Sequence, residues 1–311
     1  MKILTLYALP KAAKPDLLAA HPDWQIIERD QYQPAMGATI DVILGWNADA
    51  QALIEKPNRV RFVQAMSAGV DYLPLASLQA QHIQLANTAG IHAEPIAEYV
   101  LGGILAMARG FYPQATNWDA QARFKQMWTL RHKQAVVFGT GHIGQAVARH
   151  LSEFGATVIG VNHSGRKVAG FVQTLTKQAA AQAVAQADII VNTMPLTPET
   201  THYFDATFFA QLQAKPVFVN VGRGASVATD DLLQALNSNQ VGRAVLDVFE
   251  DEPLPVDHPL WRRADVLITP HISGQTEQLR RQVAEIFVPN LEALAATGQI
   301  ATHIVDLTLG Y

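Results

Sequence analysis

The sequence predicts an α/β protein made of two doubly wound parallel-sheet domains with a cleft between them. Three observations carry that expectation. Short runs rich in Val, Ile and Leu recur with almost no charge, helix-like stretches separate them, and the series starts afresh after a long apolar segment near residue 100. Uncharged strands are the mark of sheets covered on both faces, and intervening helices supply the crossovers that parallel pairing demands.

The elements follow in order. KILTL, WQIIE, DVILG, RFVQA and IQLAN read as five strands in the first ninety residues. IAEYVLGGILAMARGFY has too many alanine and straight-chain residues for a strand and predicts a long, mostly buried helix. AVVFG, TVIGV, DIIVN, VFVNV, AVLDV and VLITP form the second series, and the alanine-rich stretch near residues 179–187 is a good helix former. A last helix, from about Thr276 to Thr297, is expected to return the chain to the first domain. That domain is therefore discontinuous, residues 1–95 with 277–311, and residues 96–276 form the other.

Composition narrows the function. The 311 residues are 49% apolar and 16% charged, enough for two domains with substantial cores. A net charge of −4 leaves no basic surplus for nucleic acid or an anionic membrane. Cysteine is absent, which excludes disulfides, thiolate metal sites and cysteine nucleophiles and suits a reducing cytoplasm. The opening MKILTLYALPK is cut short by Pro10 and reads as a strand rather than a signal peptide. No uncharged apolar stretch reaches the roughly 18 residues of a membrane span. The expectation is a soluble cytoplasmic protein with no metal, nucleic-acid or membrane partner.

AVVFGTGHIGQAVARHL places Gly139, Gly141 and Gly144 directly after a strand and at the opening of a helix, with Thr140, His142 and Ile143 between them. The first glycine permits the tight turn, the second lets backbone approach a pyrophosphate, and the third allows close packing of helix on strand. The helix N-terminus adds N–H groups and a field that favours phosphate. This is a Rossmann-type signature for a dinucleotide. In such folds an acid at the end of the next strand usually accepts from the adenosine ribose. Here GVNHSGRK offers Asn162, followed by His163, Ser164, Arg166 and Lys167. A carboxylate about 4 Å from a 2′-phosphate costs on the order of 4 kcal/mol per charge pair at an effective dielectric of about 20. Asparagine removes that repulsion and the basic residues suit the phosphate, so NADP(H) is favoured over NAD(H). The plain alternative is a polar turn with solvated cations.

FVNVGRGASV holds Arg223 between two glycines at the C-terminal end of a strand, where doubly wound sheets bind ligands. Its planar fork suits a carboxylate, although a solvated loop arginine has the same spelling. AVLDVFEDEPLP presents Asp247, Glu250, Asp251 and Glu252 after the next strand, and VLITPHISG ends the last one on His271. Alone, an acidic cluster is solvated surface and a histidine is a structural residue. Three consecutive parallel strands instead deliver Arg223, the acidic turn and His271 to one sheet edge, which is the edge of the glycine-rich turn.

These segments, with NTMPLTPET, VDHPLW and, in the first domain, MSAGVD and NTAGIHAEPIAEYV, resemble the D-isomer-specific 2-hydroxyacid dehydrogenase family over nearly the whole chain. The resemblance implies a flavodoxin-like substrate domain beside the Rossmann-type one. It implies catalytic roles for Arg223, Glu252 and His271: the arginine orients and polarises a 2-keto acid, the histidine is its acid or base, and the glutamate is the histidine's partner. Further cofactor contacts are implied at Met194, Pro195, Thr200, Val221, Gly222, Arg223, Asp247 and His271. Substrate contacts are implied at Ala68, Gly69, Arg223 and His271.

Two departures stand out: Asn162 replaces the acid of NAD-preferring members, and Ala93 stands where many members have threonine. Glu252 weighs against the formate dehydrogenase branch, which resembles this family but has glutamine there. The length resembles that of the short glyoxylate and hydroxypyruvate reductases, and a homodimer is implied. Some proteins of this fold are dinucleotide-sensing corepressors that keep all three catalytic residues, so a regulatory binding protein is the alternative. Trp118 and Trp128 read as packing residues, with an interface or pocket as the alternative.

Overall fold

The structure is a computed structural model that describes residues 1–113 and 120–309. Two compact units emerge, Met1–Ile91 with Thr276–Tyr311, and His92–Gln275.

In the first unit β1 (Lys2–Thr5), β2 (Gln25–Glu28), β3 (Val42–Leu44), β4 (Phe62–Gln64) and β5 (Gln84–Ala86) form a parallel sheet of order β2-β1-β3-β4-β5. That order is the flavodoxin-like one. Successive side chains point to opposite faces, so Leu4, Ile43, Val63 and Leu85 enter one core while Ile3, Val42, Leu44 and Phe62 enter another. The second core is closed by Val283, Phe287, Leu291 and Leu294 of the helix Leu279–Thr297, a stripe at helical spacing. This stripe is what brings the end of the chain back to its beginning.

The second unit holds β6 (Gln134–Phe138), β7 (Thr157–Val161), β8 (Gln173–Leu175), β9 (Ile189–Asn192), β10 (Val217–Asn220), β11 (Arg243–Leu246) and β12 (Val266–Ile268). They pair in parallel in the order β12-β11-β10-β9-β6-β7-β8. The winding direction reverses between β6 and β9, the point at which doubly wound sheets open a crevice. One face carries Val136, Phe138, Ile190, Phe218 and Leu246 into a core with Phe204, whose ring meets Phe138 edge-on at 5.2 Å. On the other face Ala135, Val137, Val191, Val219 and Val245 meet the helix Ala93–Ala108. That helix buries Ala93, Ile96, Ala97, Val100, Gly103, Ile104, Met107 and Ala108, one stripe along its length.

Eleven of the twelve strands coincide with the apolar runs, and β8 does not. Its three residues, QTL, form a partly exposed edge and carry no apolar run to betray it. The long helix begins at Ala93, earlier than the apolar run suggests, and packs on the second unit from its first turn. The division accordingly falls at 91/92 and 275/276, against 95/96 and 276/277 expected from sequence. Trp128 packs against the core beneath this helix, with the Lys133 ammonium 5.8 Å from its ring centre. Trp118 lies outside the described residues. Among the described residues no helix is long and apolar enough to cross a membrane.

Gly103 shows how tight the helix-on-sheet contact is: a Cβ there would lie 2.7 Å from Val245 Cγ1, whereas one at Gly102 would meet nothing within 4 Å among the described residues. Gly103→Val is expected to lower the unfolding free energy by about 1–3 kcal/mol, since a packed core yields little. Gly102→Val should stay within about 0.5 kcal/mol of the parent. Urea unfolding of the two variants makes the comparison.

Candidate active site

The turn after β6 has the shape the glycines predict. Gly139 has φ +96°, and a Cβ there would sit 2.6 Å from Thr193 Oγ1, so both conformation and space demand glycine. At Gly144 a Cβ would come within 2.0 Å of the Gly139 carbonyl oxygen, so helix and turn are in backbone contact. Gly141 differs: among the described residues nothing lies within 4 Å of its missing Cβ, and no side chain caps the helix His142–Glu153 that starts beside it. Open space next to an uncapped helix N-terminus is what a pyrophosphate needs.

Asn162 follows β7. Its Nδ2 donates to Thr140 Oγ1 at 3.0 Å and to the Arg166 carbonyl at 3.1 Å, which fixes the orientation of the amide. Oδ1 is then left buried without a hydrogen-bond partner among the described residues. An orphaned acceptor at this strand end fits a ribose hydroxyl as donor. His163, Ser164, Arg166 and Lys167 beyond it are exposed. The residues present therefore fit a dinucleotide.

After β9 and β10 comes a buried polar network that the sequence reading missed. Asn192 Nδ2 donates to Asn220 Oδ1 at 2.9 Å and to Ser226 Oγ at 2.7 Å, and Asn192 Oδ1 accepts from the Met194 N–H at 3.0 Å. Asn220 Nδ2 and Ser226 Oγ both donate to the Arg223 carbonyl, at 3.1 and 2.6 Å. The backbone of Arg223 is thus clamped from two sides. Its flanking glycines serve close approach rather than a left-handed turn. A Cβ at Gly222 would lie 2.8 Å from the Met194 carbonyl oxygen, and one at Gly224 only 1.8 Å from that of Phe249. Thr200, at the end of NTMPLTPET, ties this loop by donating to the Pro195 carbonyl at 2.7 Å. Val221 hydrogen-bonds back to Asn192 through its N–H. The available signal was two successive strands that both end in asparagine.

The acidic turn divides its carboxylates among different tasks. Glu252 Oε2 meets His271 Nδ1 at 2.8 Å, and its Oε1 accepts the Phe249 N–H at 3.0 Å. Phe249 is also the residue against which Gly224 packs, so Arg223, Glu252 and His271 are linked through one piece of backbone. Glu250 accepts from the Thr229 N–H at 2.7 Å and from His202 at 2.6 Å. Burial pushes its carboxyl up, but the hydrogen bonds from Thr229 and His202 outweigh this and hold it below the usual carboxylate range. Asp247 is 0% exposed and accepts from Thr269 Oγ1 at 2.5 Å and from the N–H groups of Ile272 and Ser273 at 2.9 Å each. The cofactor contact implied at Asp247 is therefore not open to its side chain in this structure. The carboxylate is turned inward to hold the loop that carries His271.

In the first unit the loop after β4 contains Ala68 and Gly69. The carbonyls of Ser67, Ala68 and Gly69 accept from the Thr88 N–H, Asn87 Nδ2 and Ser67 Oγ at 3.1, 2.9 and 2.7 Å. A trans peptide points its N–H opposite to its carbonyl. Holding the first two carbonyls therefore turns the N–H groups of Ala68 and Gly69 the other way.

Comparison with known proteins points in one direction. Residues 101–273 match the family model described as D-isomer specific 2-hydroxyacid dehydrogenase, NAD binding domain. A glyoxylate/hydroxypyruvate reductase B from Salmonella schwarzengrund (strain CVM19633) is 32% identical over 264 residues, covering 82% of this chain and 81% of that one. The structure of a D-isomer specific 2-hydroxyacid dehydrogenase family protein from Aeromonas salmonicida is 34% identical with a TM-score of 0.83, over 98% of this chain and 99% of that one. An NADPH-dependent glyoxylate/hydroxypyruvate reductase from Sinorhizobium meliloti, in complex with NADP and sulfate, is 26% identical with a TM-score of 0.80, over 100% and 99%.

The two helix-side glycines should separate binding from folding. Gly141→Ala is expected to unfold like the parent yet weaken dinucleotide affinity by roughly tenfold or more, because its Cβ meets only the ligand's space. Gly144→Ala should lose about 1–3 kcal/mol of stability, its Cβ striking backbone. Thermal unfolding and a fluorescence titration with NADPH read the two effects.

Proposed function

The chain belongs to the D-isomer specific 2-hydroxyacid dehydrogenase family, and from that premise we propose that it reduces small 2-keto acids of the glyoxylate or hydroxypyruvate type with NADPH as the preferred donor. It is an NAD(P)-dependent oxidoreductase that transfers hydride between the nicotinamide and a 2-hydroxy acid or its ketone. What carries the assignment of residues is the 2.8 Å pairing of His271 with Glu252, on the sheet edge that also bears Arg223 and the open turn at Gly141.

The bound nicotinamide supplies the hydride. Arg223 binds the substrate's carboxylate and carbonyl in its planar fork and stabilises the negative charge that grows on the carbonyl oxygen. His271 donates the proton to that oxygen from Nε2, and in the oxidation direction takes it back. Glu252 accepts from Nδ1, so the ring is held in one orientation and presents Nε2 for the transfer. The Phe249 N–H on the other oxygen of Glu252 keeps that carboxylate from rotating away. Within the first unit, the N–H groups of Ala68 and Gly69 are donors that suit a carboxylate.

The cofactor preference is supported by the neutral Asn162, by the exposed Arg166 and Lys167, and by the NADPH dependence in the name of the Sinorhizobium relative. The family resemblance supports a homodimer.

Arg223→Ala is expected to lower kcat/KM for ketone reduction by about 10²–10³, the cost of one lost donor to a developing oxyanion, with NADPH affinity largely kept. Glu252→Gln replaces the anionic partner of Nδ1 by a neutral one of the same shape. The optimum for reduction should therefore move to lower pH, and an unchanged profile would remove Glu252 from the mechanism. A panel of glyoxylate, hydroxypyruvate, pyruvate and phenylpyruvate, run with both cofactors, tests substrate class and preference together. A lower KM for NADH than for NADPH would reverse the preference.

A further inference from the structure

His271 has a left-handed backbone, φ +55°, a region sparsely populated by residues with side chains. Something must hold it there. The His271 N–H donates to the Asp247 carbonyl at 2.8 Å, and the next two N–H groups, of Ile272 and Ser273, donate to the Asp247 carboxylate. The whole turn is thus wrapped around one buried carboxylate, and its geometry is only as firm as that carboxylate.

Two side chains outside the reaction set hold Asp247 in turn. Thr269 Oγ1 donates to Asp247 Oδ1 at 2.5 Å, and Tyr99 Oη lies 2.6 Å from Thr269 Oγ1. A threonine hydroxyl has one hydrogen, and an ionised carboxylate can only accept. The hydrogen of Thr269 therefore goes to Asp247, and Tyr99 must donate to Thr269. The chain runs one way: Tyr99 hydroxyl, Thr269 hydroxyl, Asp247 carboxylate. Burial, together with the Asp247 charge and against the hydrogen bond to Thr269, pushes the Tyr99 hydroxyl up to about 12, so it stays a donor at any pH near neutral. Tyr99 sits on the helix Ala93–Ala108, which adds a second tie to the same loop where His92 Nδ1 meets the Gly274 carbonyl at 3.1 Å.

We propose that Tyr99 and Thr269 are positioning residues for the reaction: through Asp247 they fix the turn that aims His271 at Glu252. This inference rests on the reading of His271 as the acid/base. The hydroxyl relay explains why Asp247 is wholly buried, and it ties the long helix to the proton donor.

The test uses the full chain with NADPH and a reducible keto acid. Thr269→Val keeps shape and removes both hydrogen bonds, Thr269→Ser restores the hydroxyl, and Tyr99→Phe removes only the outer donor. Thr269→Val is expected to lower kcat roughly 10–100-fold, as a slightly misplaced proton donor does, with NADPH affinity retained. Its pH optimum should move to lower pH, in the same direction as Glu252→Gln, and Thr269→Ser should return both rate and profile. A crystal structure of Thr269→Val should show the His271–Glu252 hydrogen bond broken or lengthened. The inference is overturned if that bond and the pH profile are both unchanged, even where the melting temperature falls. Should Thr269→Val fail to fold, Tyr99→Phe carries the test, with a smaller shift expected in the same direction and an unchanged profile overturning it. A broken His271–Glu252 bond with an unaltered rate would uphold the positioning role and instead remove His271 as the acid/base.

Discussion

Parallel pairing obliges every strand of a sheet to end on the same edge, and the chemistry of this protein depends on that constraint. In the second unit the register Asn192 to Asn220 to Leu246 to Ile268 runs straight across four neighbouring strands. Whatever follows those residues in sequence is delivered to one rim. Arg223 comes three residues after Asn220, Asp247 directly after Leu246, and His271 three after Ile268. The glycine turn after Phe138 joins them because β6 pairs with β9. No long-range coincidence is needed, only strands of matched length with short extensions.

A shared rim does not by itself give a rigid site, because strand ends are loops and loops move. Rigidity comes from backbone contact and from buried polar groups that have no alternative partners. Gly224 rests on the Phe249 carbonyl so closely that no side chain fits between. Asn192, Asn220 and Ser226 are all buried and converge on the Arg223 backbone. An unsatisfied buried donor or acceptor costs about 1–3 kcal/mol, so displacing this loop would break several such bonds at once. The acidic turn obeys the same logic. Glu250 secures the start of the helix Thr229–Asn237, Asp247 secures the His271 loop, and Glu252 alone presents its free oxygen to the imidazole.

The strands of both sheets were legible because burial on two faces writes itself as an apolar run. β8 was not, since a three-residue edge strand needs no apolar side chains. Arg223, Glu252 and His271 were legible as residues at strand ends, and the structure adds the 2.8 Å bond between the last two. The Asn192–Asn220–Ser226 clamp escaped notice because amides at strand ends are spelled like ordinary turn residues, and their partners are distant in sequence. Tyr99 escaped for a related reason: within a helix rich in Ala and Leu it reads as packing, and only the fold brings its hydroxyl to Thr269, 170 residues away. Asp247 was legible as an acid but its direction was not. Sequence distinguishes a carboxylate from an amide, and it does not reveal which way the group faces.

Asn162 makes the same point about an amide, and here direction determines what the site asks of a ligand. With both Nδ2 hydrogens committed to Thr140 and Arg166, what this side chain has left without a partner among the described residues is a neutral acceptor. A neutral acceptor takes a ribose hydroxyl much as an aspartate does. It differs in what it does not do, because it carries no charge to repel a phosphate on the neighbouring carbon. Exchanging acid for amide thus keeps the hydrogen bond and removes a repulsion on the order of 4 kcal/mol at about 4 Å and an effective dielectric of about 20. The amide alone makes the phosphate tolerable rather than required. A preference needs positive charge placed to be neutralised by it, and Arg166 and Lys167 are exposed cations within five residues of Asn162.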